Sequence, residues 1–183
     1  IRDSYFVSGA RTNTLYRNRG NGRFEDISQT AGVDGGSAWG SGVAAVDIDG
    51  DKDLDLYVCN YGSPNQLFVN DGNGKFVESA SRFGLGHSGA FAMAAFADYD
   101  LDGDLDVYLL GHRFYRAGGR PNRPVTILKD GRNQMLPEFE NYYGVSERRG
   151  NMKINNVGAP DKLLRNDGGR FVEVTQPAGI STN

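Results

Sequence analysis

The sequence predicts an all-β chain of β-propeller blades. Three observations lead there. A strand–turn–strand segment occurs three times, an aspartate-rich loop occurs twice, and the two kinds of segment alternate at a fixed spacing.

The strand–turn–strand segment begins at Leu15 and runs to Val33. It recurs from Leu67 to Leu85 and again from Leu163 to Ile180, the last copy one residue shorter at the turn. Each copy is a short strand, a turn of Gly, Asn and Asp, and a second strand entered at Phe24, Phe76 or Phe171. Such turn residues between two half-apolar runs predict a β-hairpin.

The aspartate loop is clearest at Asp98–Asp106, which reads DYDLDGDLD. Asp98, Asp100, Asp102, Asp104 and Asp106 occupy alternate positions around Gly103. Five carboxylates held close without a cation repel one another, and a hard divalent cation removes that repulsion. Calcium accepts six to eight oxygens and tolerates irregular geometry. The spacing DxDxDG opens an EF-hand loop, but position 12 of an EF-hand is Glu and here it is Leu109. The flanks Phe91–Ala97 and Val107–Leu110 are short and apolar and predict two buried strands, not helices. Asp106, at position 9, is placed to close an ion from the far side. A merely solvated acidic turn rarely sets five aspartates at one parity.

A second copy reads DIDGDKDLD, with Asp47, Asp49, Asp51, Asp53 and Asp55 in the same places. Its position 6 is Lys52 instead of Gly. A non-Gly residue at positive φ costs roughly 1 kcal/mol, so this loop is expected to bind the more weakly. Gly50 at position 4 offers another way to relieve the turn.

The offsets define the unit. Leu15 to Asp47 is 32 residues, Leu67 to Asp98 is 31, and Asp47 to Leu67 is 20. The repeat is therefore about 52 residues: strand, DxDxDG-type loop, strand, hairpin. Four strands recurring at this period predict a propeller blade. The expected organisation is a partial propeller over residues 1–183, of about three four-stranded blades. Blade 1 covers about 1–33 and is incomplete, blade 2 about 38–85 and blade 3 about 89–180. Aligning Asn13 with Asn65 sets Tyr5 on Tyr57 and Asp3 on Asp55, which makes Asp3 the last ligand of a further loop.

The third unit is interrupted. Asp98 to Leu163 spans 65 residues where 20 are expected, an insertion of 45 lying at about 111–160. That stretch holds nine Lys/Arg against four Asp/Glu, a net +5, which leaves −8 on the rest of a chain of net −3. It also carries Phe114, Tyr115, Phe139, Tyr142 and Tyr143. Loops on a rigid scaffold carry specificity, so the insertion is a candidate recognition element; the alternative is a decorative loop.

Composition narrows the rest. The 26 glycines without a collagen period suit many tight turns. A net charge of −3 argues against nucleic acid as the partner, and no stretch approaches the ~20 apolar residues of a membrane helix. Cys59 lies alone in an apolar run and is expected to be a buried structural thiol. His87 and His112 sit in loop contexts, and there is no GxSxG, HExxH or P-loop pattern. The chain is therefore not expected to be an enzyme.

These residues resemble the FG-GAP/VCBS repeat proteins, the β-propellers of integrin α-subunits and of many secreted bacterial proteins, and in particular the group that includes cartilage acidic protein. The resemblance rests on Gly40–Val58 and Asn65–Phe76 and extends over nearly the whole chain except the insertion. It implies a calcium-stabilised propeller, usually seven-bladed and usually extracellular or at the cell surface. It further implies two Ca2+ sites. The side chains of Asp98, Asp100, Asp102 and Asp106 with the carbonyl of Asp104 would form one, and Asp47, Asp49, Asp51 and Asp55 with the carbonyl of Asp53 the other. The expected function is an extracellular binding or adhesion module for a glycan, matrix or surface protein. The alternatives are a self-assembling subunit forming a ring or filament and, less favoured, a propeller-type polysaccharide-active enzyme. About three blades cannot close a seven-bladed ring. The piece is therefore expected to be part of a longer chain or to form homo-oligomers, and not to be a stable monomer in dilute solution.

Overall fold

A computed structural model describes residues 12–116, 118–119, 121–148 and 151–180. Asp3 and Tyr5, aligned above with Asp55 and Tyr57, lie outside the described residues. The chain is all-β, with strands arranged as propeller blades.

The middle unit is a four-stranded antiparallel sheet. Strand β3 (Gly40–Val46) pairs with β4 (Asp55–Pro64), β4 with β5 (Gln66–Asn70), and β5 with β6 (Phe76–Glu78). The next unit repeats it: β7 (Ser88–Ala97), β8 (Asp106–Gly111), β13 (Lys162–Asn166) and β14 (Phe171–Glu173) pair in that order. Ahead of both, among the described residues, stands a two-stranded hairpin, β1 (Tyr16–Gly20) with β2 (Arg23–Asp26). The far end of β4 overruns its own unit and pairs with the start of β7, Tyr61 opposite Ala90 and Pro64 opposite Ser88.

Burial explains why β4 reads as a continuous apolar run. Its two faces enter two different cores. Tyr57 and Cys59 join Leu67, Phe83, Leu85, Phe91, Val107, Leu109, Leu164 and Phe171 in the larger one. Val58 and Phe68 pack with Ala31 and Val33 in the smaller one, under Leu15 and Ile27 from the first hairpin. A strand covered on both sides loses the polar alternation of a half-exposed one. Cys59 is buried as expected, and burial pushes its thiol up to about 12.

The Tyr57 hydroxyl and the Asn65 side chain are paired inside this core, whereas Asn60 Oδ1 is buried without a partner among the described residues. The Tyr57 hydroxyl donates to the Leu85 carbonyl at 2.9 Å and accepts from Asn65 Nδ2 at 2.9 Å, while Asn65 Oδ1 accepts from the Asn60 amide at 2.8 Å. Removing one member of a buried pair strands the other. Tyr57→Phe is therefore expected to cost about 1–3 kcal/mol in urea denaturation; a loss below 0.5 kcal/mol, within the scatter of surface changes, would show that the hydroxyl is not coupling these strands.

Two features go beyond the expected hairpins. The first two hairpins are each followed by one turn of helix, α1 (Ser28–Ala31) and α2 (Ala80–Phe83), closed by Gly32 at φ 82° and Gly84 at φ 78°. These glycines also meet the next unit closely. A Cβ at Gly84 would lie 2.6 Å from the Phe171 carbonyl oxygen, and one at Gly32 2.9 Å from that of Phe76. Second, the insertion is built. It contains two hairpins, β9 (Thr126–Lys129) with β10 (Arg132–Met135), and β11 (Tyr143–Arg148) with β12 (Asn151–Asn156). Asp130 and Gly131, both at positive φ, make the tight turn of the first.

Candidate metal centre

Both aspartate loops connect the first strand of a unit to the second: Asp47–Lys52 leads from β3 to β4, and Asp98–Gly103 from β7 to β8. In each, positions 4 and 6 take positive φ. Gly50 stands at 80° and Lys52 at 76° in one, Leu101 at 64° and Gly103 at 100° in the other. Each loop thus carries one glycine and one strained residue, in opposite order. The expectation that Lys52 singles out the first loop as the weaker does not follow once Leu101 bears the same cost. Asp49→Ala and Asp100→Ala are accordingly expected to lower stability in saturating calcium equally, to within about 1 kcal/mol, as read from urea denaturation. A much larger loss at Asp100 would restore the ranking by Lys52.

The backbone turns are pinned by the first aspartate. Asp47 accepts from the amides of Gly50 (2.8 Å) and Lys52 (3.1 Å); Asp98 accepts from Asp102 (3.1 Å) and Gly103 (3.0 Å). The fifth position caps its own turn, Asp51 accepting from Asp53 N and Asp102 from Asp104 N, both at 3.0 Å.

The ninth position closes each loop onto the hairpin. Asp55 is fully buried and accepts from Ile48 N (2.9 Å) and Asn70 N (2.8 Å). Asp106, 1% exposed, accepts from Tyr99 N (3.0 Å) and Asn166 N (2.8 Å). Asn70 and Asn166 complete the same frame, their side-chain amides donating to Leu54 and Leu105 carbonyls and their side-chain oxygens accepting from Gly74 and Gly169 amides. The hairpin asparagine is a site residue that the repeat comparison contained but the loop motif did not reveal.

Of the ten aspartates, the structure gathers six into two triads. Carboxylate oxygens of Asp47, Asp49 and Asp55 lie within 4.8 Å of one another, as do those of Asp98, Asp100 and Asp106. Asp51 and Asp102 turn to their own backbone. The Asp53 carboxylate faces the hairpin turn at Asn70 and Gly72, and one of its oxygens is buried without a partner among the described residues. Crowding is legible in the electrostatics. Burial, then Asp102 and Asp106, hold the Asp100 carboxyl above its usual range; burial, then Asp51 and Asp49, do the same for Asp53. Burial also raises Asp55, against the hydrogen bonds from Asn70 and Ile48. Donor sets made only of oxygen, three carboxylates close together and no nitrogen or sulfur, fit a hard divalent cation of the Ca2+ type. The histidines stand apart, the ring of His87 bonded to Gly84 backbone and that of His112 to the Arg113 carbonyl.

Fold and loops together define a propeller-blade repeat protein with paired acidic loops. A model of the FG-GAP-like repeat matches residues 2–58 and 47–109, and the chain belongs to this family. It is similar to cartilage acidic protein 1 of Xenopus tropicalis, 31% identical over 120 residues, which cover 59% of this chain and 18% of that protein. It is likewise similar to the Mus musculus protein of that name (34% over 100 residues; 52% and 15%) and to that of Homo sapiens (32% over 100 residues; 52% and 15%). The chain thus spans less than a fifth of the length of these relatives.

Proposed function

We propose that this segment is a calcium-stabilised portion of a β-propeller that serves as an extracellular or cell-surface binding module. The observation that carries the reading is the recurrence of one carboxylate triad, with the same buried closing aspartate, in two successive units. In it, Asp47, Asp49 and Asp55 hold one Ca2+ and Asp98, Asp100 and Asp106 the other. Asp51 and Asp102, and the carbonyls of Asp53 and Asp104, complete the oxygen shells. The ion neutralises a cluster that otherwise repels itself, and so locks the first two strands of a unit to its hairpin. Its role is structural, and His87 and His112 take no part in catalysis. The blade limits given above, with the insertion at about 111–160, are the organisation this reading assumes. No helix among the described residues is long and apolar enough to cross a membrane.

The test is calcium removal. Extracellular modules bind at roughly 10⁻⁴–10⁻³ M, so 1 mM calcium contributes about 0.4–1.4 kcal/mol per site by mass action. Chelation is expected to lower the melting temperature by roughly 2–10 °C when both sites are emptied. An unchanged melting temperature would overturn the ligand assignment.

Self-association is a second reading, favoured by an apolar groove of about 330 Å³ between the first hairpin and the middle unit. Leu15, Val33, Val43, Leu56, Val58 and Phe68 line it. Light scattering that returns a mass of two or more copies at micromolar concentration supports it.

A further inference from the structure

The family match ends at residue 109, just before the insertion. Where the insertion leaves and rejoins the blade, a cavity of about 360 Å³ opens, lined by Arg113, Phe114, Tyr115, Arg116, Tyr143 and Asn156 among others. It lies at the opposite end of the strands from the aspartate loops. The seven residues of β4 from Asp55 to Tyr61 span roughly 20 Å.

Three properties of the cavity point to a ligand. The first is charge. Among the described residues two guanidiniums line it and no carboxylate does, and the ion pairs formed there engage Arg19, Arg123, Lys162 and Arg165 instead. Arg113 lies over the Tyr115 ring at 4.8 Å and Arg116 over Phe139 at 5.4 Å. Arg113 donates one hydrogen bond to the Tyr115 hydroxyl, and Arg116 one to the Gly119 carbonyl. A guanidinium offers five N–H donors, so most of each fork is left to a ligand.

The second is aromatic surface: Phe114, Tyr115 and Tyr143 line the cavity itself, and Tyr115 joins it to an aromatic platform with Tyr61 and Trp39 beside the lining. Tyr61 sits 5.2 Å from Trp39, 6.1 Å from Phe114 and 6.0 Å from Tyr115, and Tyr115 sits 5.6 Å from His112. Trp39 is 43% exposed and Tyr115 41%. The third is rigidity. Tyr115 N donates to the Tyr61 hydroxyl, Phe114 N to the Val157 carbonyl and Ala159 N to that of His112. The two chains of the neck cross so closely that a Cβ at Gly111 would lie 1.9 Å from the Ala159 carbonyl oxygen.

We infer that this cavity binds an acidic saccharide. The apolar C–H face of a sugar ring stacks on the Trp39–Tyr61–Tyr115 platform, and its carboxylate or sulfate is forked by Arg113 and Arg116. Planar guanidinium matches such oxyanions with paired, charge-assisted hydrogen bonds. The volume falls at the small end of ligand pockets, which suits one or two sugar rings. An acidic peptide supplies the carboxylate but no flat C–H face. A nucleic acid needs a longer cationic track along its backbone, and the rest of the chain, at −8, repels it. The inference deepens the binding-module reading and rests on it.

Calorimetric titration of the whole chain in millimolar calcium tests it, with tetragalacturonate, a heparin tetrasaccharide, neutral cellotetraose and hexaglutamate as probes. One or both acidic saccharides are expected to bind at least tenfold more tightly than cellotetraose and hexaglutamate. Which one binds separates carboxylate from sulfate. Arg113→Ala and Arg116→Ala are each expected to weaken binding by about tenfold or more, with Arg116→Lys in between. Asn156→Asp, at an exposed rim position, sets a repelling carboxylate there without touching the neck and is expected to weaken binding similarly. Failure of both acidic saccharides to bind a protein whose melting still responds to calcium overturns the inference and leaves the calcium reading standing. So does equal binding of hexaglutamate, or binding indifferent to all three loss variants. Saccharide binding that survives while melting ignores calcium supports the inference and overturns the calcium reading.

Discussion

Asp106→Ala is expected to be among the most damaging single substitutions, lowering stability by roughly 3–5 kcal/mol. Its carboxylate is 1% exposed and joins two amides that are far apart in the chain, Tyr99 N within the loop and Asn166 N on β13. Removal strands both donors and opens the triad it forms with Asp98 and Asp100. On the proposed calcium reading, calorimetry should then show one site where the parent is expected to show two, with the Asp47 triad still able to bind. Asp104→Ala is the control. Its side chain is exposed and the substitution leaves its carbonyl in place, so a change within about 0.5 kcal/mol is expected. A mild Asp106→Ala and a severe Asp104→Ala would reverse the assignment of roles within the loop.

Phe91→Ala is the second large effect, at about 3–5 kcal/mol. Phe91 lies at the start of β7, 1% exposed, in the core that Tyr57, Cys59 and Leu67 of one unit share with Leu109 and Leu164 of the next. Its carbonyl also accepts from the Ser41 hydroxyl on β3. Backbone crowds the seam nearby: a Cβ on Gly42 would fall 2.2 Å from the Ala92 carbonyl oxygen. With so little room for collapse, the cavity stays open and the cost stays high. Val77→Thr on β6, where the side chain is 65% exposed, should change stability by no more than about 0.5 kcal/mol. Urea midpoints measured with calcium present decide it. Equal midpoints for Phe91→Ala and the parent would mean that the two units do not share a core.

Much of this was legible in the chain because the repeat is written in residue types with few alternative uses. Aspartates at one parity announce a loop that gathers carboxylates, and Asn-Gly or Asp-Gly between apolar runs announces a hairpin. The helical turns at Ser28–Ala31 and Ala80–Phe83 were not legible, since four residues are too few to show a helical period. The turn at Asp130–Gly131 could have been read from its dipeptide, but Ile127 and Leu128 are adjacent on β9 and β10 is polar up to Met135, so no apolar alternation framed it. The strain at Leu101 was hidden as well. Positive φ at that position is set by the loop's closure, and nothing in leucine suggests it.

By itself, then, the sequence determined the repeat, the strand order within a unit and the ten aspartates that crowd its loops. Those are local matters, decided by spacing within about 50 residues. Only the tertiary structure decided which carboxylates meet, because Asp55 and Asp106 are aimed by amides of the hairpins at Asn70 and Asn166, the latter 60 residues away. It alone also put Trp39, Tyr61 and Tyr115 on one surface. Three aromatic residues scattered over 77 positions become neighbours only when β4 overruns its unit to pair with β7 and the insertion springs from the adjoining end of β8.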